Sequence, residues 1–77
     1  MTLEHKGTIE DNYNDHLRQE NRYTEKMKMA TDFERQRTYA GKSLHHRHAM
    51  EAIEETLSAL GISYHLDLVG KLIIDEE

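Results

Sequence analysis

The sequence predicts an α+β fold in the order α-α-β-β, and three observations carry that prediction. Residues 9–40 contain neither Pro nor Gly and are dominated by long-chain helix formers. Leu44, Ala49, Ala52, Ile53, Thr56, Leu57 and Leu60 then recur at three- and four-residue steps, one face of a second helix. After Gly61 the period changes to two: Ile62, Tyr64, Leu66 and Leu68 alternate with Ser63, His65 and Asp67, as strand residues do.

Taken in order, residues 1–7 are weakly patterned and are expected to be flexible. Thr8 opens the first helix, its hydroxyl placed to cap while Asp11 reaches back and Glu10 suits the positive helix end. A continuous helix over residues 9–40 would be about 45 Å long, more than so small a domain can cover. Its apolar stripe is uneven. Tyr13 and Leu17 lie one turn apart, residues 18–22 are entirely polar, and Tyr23, Met27, Ala30, Phe33 and Tyr39 resume the stripe. This reads as two amphipathic segments, with the helix either bent at the polar stretch or projecting into solvent there. Glu20 and Glu34 at core positions argue against a long coiled coil.

Gly41 is the expected stop of that helix, residues 8–40, because glycine takes the left-handed cap without penalty. Ser43 then caps a second helix over residues 43–60. So short a link favours an αα-hairpin with Tyr23 to Phe33 against Leu44 to Leu60. Gly61 in the left-handed position would place Ile62 against Leu57 in a Schellman motif. Residues 62–75 read as a β-hairpin that turns at Val69 and Gly70, with Leu72 and Ile74 on one face and Ile73 opposite. An isolated hairpin is marginal in water, and its free edge is a pairing template. With Val69 and Ile73 left uncovered, a homodimer joined through the hairpin edges, the first helix or both is expected.

The 77 residues make a single small domain, 36% hydrophobic and 32% charged, without Trp or Cys. A domain of this size usually needs a disulfide, a metal or a partner subunit, and the absence of Cys removes the first. It also fits a reducing compartment. No run approaches a membrane span, and the first residues lack an apolar leader core. The expectation is a cytoplasmic protein without membrane association.

The net charge of −5 is unevenly distributed. Residues 1–34 carry −3, residues 35–48 carry +4 and residues 49–77 carry −6. Glu51, Glu54, Glu55, Asp67, Asp75, Glu76 and Glu77 therefore form the candidate partner-binding acidic face, and Arg35, Arg37, Lys42 and Arg47 the candidate basic patch. His45 and His48 share one helical face and are weak metal candidates, two ligands where a site needs three or four. His46 is expected to turn away from them. No nucleophile elbow, phosphate-cradling glycine loop or HExxH motif is present, so neither an enzyme nor a cofactor is expected.

Size, acidity and Cys-free polar composition resemble those of many small phage or mobile-element proteins that inhibit a host protein, a class-level likeness without a shared motif. The function expected is a non-enzymatic protein–protein interaction module. It would act as a small acidic inhibitor that occupies a basic nucleic-acid-handling or nucleoid partner, with nucleic-acid mimicry as one route. The alternative is a small DNA- or RNA-binding regulator using residues 35–47.

Overall fold

A computed structural model describes residues 5–75. The order is α-α-β-β: α1 Lys6–Met29, α2 Phe33–Ala59, β1 Tyr64–Leu66 and β2 Leu72–Ile74. The two helices pack antiparallel in a rod measuring 49 × 21 × 17 Å, and the strands form one antiparallel hairpin at the end away from the inter-helix turn.

The helix break corrects the sequence expectation. It falls at Ala30 to Asp32, where Ala30 is extended, and not at Gly41. The Asp32 carboxylate accepts the Arg35 backbone N–H at 2.8 Å, and Glu34 sits in the first turn of α2. Lys26 and Lys28 occupy the last turn of α1, where cations suit the carbonyl end. The Gln36 side chain closes the turn by donating to the Ala30 carbonyl at 2.9 Å. Gly41 is carried through the interior of α2 with open space where a Cβ would stand. Ser43 is likewise mid-helix and caps nothing; its hydroxyl lies 2.8 Å from that of Thr24 on α1. At the other end, α1 begins at Lys6 and not at Thr8, so Lys6 and Gly7 are helical, while Met1 to Glu4 lie outside the described residues.

Moving the turn changes which residues meet. Tyr23 packs against Tyr39 and His46. Most of the Leu44 to Leu60 stretch expected to meet Tyr23 to Phe33 instead meets residues 13–20, with His16 against His46, Glu20 against Arg47 and Tyr13 beside Met50 and Leu57. Phe33, Leu44 and Leu60 are accordingly exposed. The apolar core gathers at the sheet end: Tyr13, Met50, Leu57, Leu72 and Ile74 are each at most 2% exposed, with Ile9, Leu17, Ile53, Ile62 and Tyr64 around them. Polar residues 18–22 do not interrupt α1, which is helical throughout.

The helix-to-strand corner follows the expected motif. Gly61 has φ 72°, Ile62 donates to the Leu57 carbonyl at 2.9 Å and Gly61 to Ser58 at 3.1 Å, the two bonds of a Schellman cap. The strands are shorter than residues 62–75 suggest. Their register pairs Tyr64 with Ile74, His65 with Ile73 and Leu66 with Leu72. Asp67 organises the connecting loop, its carboxylate accepting the N–H groups of Val69 and Lys71 at 3.0 and 2.9 Å. Gly70, at φ 87°, completes that loop over Leu17.

Because Gly41 lies within a helix, Gly41→Ala should stabilise the protein by about 0.5–1 kcal/mol in chemical denaturation. A cap at Gly41 would give a loss instead.

Candidate functional site

The hairpin has two edges in different states. In this register the His65–Ile73 pair exchanges ladder bonds, while the N–H and C=O groups of Tyr64, Leu66, Leu72 and Ile74 point away from the partner strand. On β2 those outward N–H groups are satisfied by α1. Asn14 Oδ1 accepts from Leu72 and Glu10 Oε2 from Ile74, each at 2.8 Å. Glu10 and Asn14 are one helical turn apart, so they match the two-residue spacing of a strand edge. On β1 no described residue pairs with the outward groups of Tyr64 and Leu66. The sheet therefore presents one edge whose N–H groups are taken and one whose N–H groups are open. Sequence reasoning saw a free edge but not which one, because nothing in the period of α1 marks Glu10 and Asn14 as strand partners.

Beside the open edge lies the acidic surface. Glu51, Glu54, Glu55 and Ser58 line a shallow depression together with Tyr64, whose hydroxyl donates to Glu54 Oε1 at 3.5 Å. Burial, and then the neighbouring Glu54 carboxylate, pushes the Tyr13 hydroxyl up to about 12. The other expected acids do not join this group. Asp67 is engaged in its loop, Asp75 Oδ1 lies 2.8 Å from His65 Nδ1, and Glu76 and Glu77 are outside the described residues.

The expected basic patch is divided. Arg35 and Lys42 share a depression with Phe33, Thr38, Tyr39 and the acids Asp32 and Glu34, and the Arg35 guanidinium lies 3.3 Å from the Asp32 carboxylate. Arg37 sits two residues beyond Arg35, about 200° around the helix. Arg47 faces α1, where its guanidinium donates to Glu20 Oε1 at 2.9 Å. What the sequence did not disclose is an aromatic stack at the turn end: Tyr23 and Tyr39 have ring centroids 6.2 Å apart, Lys26 lies over both rings and Lys42 over Tyr23. Their partnership spans the two helices, so no local spacing reveals it. Charge separates along the rod. Residues 22–42, around the turn, carry six bases and three acids; the other described residues carry four bases and nine acids.

The histidines are divided as well. His46 is turned away from the exposed His45 and His48 and faces α1, with its Nδ1 2.9 Å from His16 Nδ1. His45 meets His46 edge-on at a centroid distance of 5.5 Å, and His48 is exposed. Among the described residues, no group of three or more His, Cys, Asp or Glu side chains is placed to hold a metal. No helix of the described chain is long and apolar enough to cross a membrane.

Burial, followed by the nearby His16 and His45, lowers the pKa of His46 from its usual value, and Asp15 and Glu20 only partly oppose this. The folded chain therefore holds this proton less tightly than the unfolded chain does. His46 favours folding fully above about pH 6.5, and that contribution is lost as pH falls below it. The thermal midpoint should drop between pH 7.5 and 5.5, and His46→Gln should make the drop shallower.

No protein-family model matches the chain, and neither a curated protein nor a solved structure matches it.

Proposed function

We propose that the chain is a non-enzymatic interaction module that binds a basic protein partner through the acidic end of the rod. The observation that carries this reading is the convergence of Glu51, Glu54 and Glu55 in one depression with Tyr64, next to backbone groups that no described residue pairs. Acids held on a helix and flanked by an aromatic ring give a rigid, pre-shaped anionic surface. Such a surface speeds encounter with a cationic partner and disfavours acidic ones. The depression is shallow and open and has no enclosed cleft in which two carboxylates would be driven to different pKa values, the arrangement that acid–base catalysis needs. A partner that handles nucleic acid, or a nucleoid protein, has the required basic surface. Occupying that surface would block its use, which is the inhibitor role expected of a small acidic protein of the phage host-takeover class.

The second reading, direct nucleic-acid binding, draws on the turn end. There Tyr23, Tyr39, Lys26, Lys42 and Arg35 combine stacking rings with cations. Arg47 contributes little to it, being committed to Glu20, and Arg35 is itself paired with Asp32.

Pull-down of basic proteins from lysate at increasing salt separates the readings when paired with a low-salt gel shift. The proposal expects capture that weakens with salt and is lost in Glu51→Gln with Glu54→Gln and Glu55→Gln. Retention of labelled duplex, abolished by Arg35→Ala with Lys42→Ala, would favour the second reading instead.

A further inference from the structure

We infer that the open edge of β1 receives an extended, lysine- or arginine-bearing segment of the partner as an added strand. This deepens the acidic-surface reading and rests on it. The outward N–H and C=O groups of Tyr64 and Leu66 form a template for main-chain pairing, and the equivalent groups of Leu72 and Ile74 do not, since Asn14 and Glu10 bond their N–H groups. Strand addition is thus confined to one side of the hairpin.

Charge selects the occupant. Tyr64 belongs both to the open edge and to the depression lined by Glu51, Glu54 and Glu55. A strand laid along β1 would project alternate side chains toward that depression, where cations meet three carboxylates. Its opposite face would meet the side of the sheet that carries His65 and Ile73, the latter 37% exposed. An alternating cationic–apolar segment satisfies both faces. A second copy of this chain does not, because pairing β1 with β1 would set one acidic depression beside another. The homodimer expected from the sequence is therefore the competing occupant, and it too is restricted to the β1 edge.

The test uses the full chain and an acetylated, amidated Lys-Val-Lys-Val-Lys peptide, with two further versions N-methylated at every lysine or at every valine. In a strand, the N–H groups of one residue set face the edge and those of the other face solvent. Strand addition therefore predicts that only one methylated version loses affinity, by about tenfold or more for the bonds removed. It also predicts slowed amide exchange at Tyr64 and Leu66 when the unmodified peptide is bound. Three peptides binding alike, without protection at Tyr64 and Leu66 but weakened by Glu51→Gln with Glu54→Gln and Glu55→Gln, would overturn strand addition and leave the acidic-surface reading standing. Binding of none of the peptides at low salt would overturn both. Protection of Tyr64 and Leu66 that rises with protein concentration in the absence of peptide would overturn the proposal in favour of a second copy.

Discussion

Two side chains on α1 hold this fold together at its weakest point. A two-stranded hairpin is marginal by itself in water. Here Glu10 and Asn14 act as a substitute third strand, accepting the N–H groups that β2 would otherwise leave bare. Leaving either donor unpaired in a part-buried site costs about 1–3 kcal/mol, a large share of what a domain this size can have. The same bonds fix the height of β2 on α1, so that Leu72 and Ile74 settle with Tyr13, Met50 and Leu57 in the core. They also decide the functional geometry: with β2 closed, β1 is the edge left open.

Away from that core the helices are joined by a polar series. His16 meets His46, Glu20 meets Arg47, and Thr24 meets Ser43, after which the tyrosine stack closes the turn end. Hydrogen bonds of this kind contribute modestly to net stability but cost much when unpaired, so they specify alignment more than they add stability. The Glu20 side chain is only 13% exposed, so its pairing with Arg47 offsets the cost of placing a carboxylate at the helix interface. With the apolar contacts concentrated at the sheet end, the turn end is expected to open first in native-state fluctuations. The acidic depression and the open strand are thereby placed on the stable end of the molecule, where a pre-formed surface loses least entropy on binding.

Element order, the Schellman corner at Gly61 and the shared face of Leu72 and Ile74 were legible in the sequence because each is set by local spacing. The helix break was not. Gly41 is the stronger local signal, yet helix interiors tolerate glycine at about 1 kcal/mol, and the Asp32 cap together with the cross-helix pairs outweighs that cost. The basic tail of α1 followed by Thr31 and Asp32 was the signal available. Of the site, the run Glu51, Glu54, Glu55 was legible as one helical face. Its neighbour Tyr64 is brought in by the turn at Gly61, ten residues beyond Glu54, and the closure of β2 by Glu10 and Asn14 depends on contacts across more than 50 residues of chain, which no periodicity reports. The basic patch dissolved for the same reason, since residues adjacent in sequence point around a helix rather than along it.

Residue-resolved amide hydrogen exchange on the free protein reads out whether α1 closes the β2 edge and leaves β1 open. Leu72 and Ile74 should exchange as slowly as amides in the core stretch of α2, Tyr64 and Leu66 should exchange fast, and Asn14→Ala should release Leu72 selectively. Leu72 and Ile74 exchanging as fast as the fully exposed Leu68 would contradict that closure.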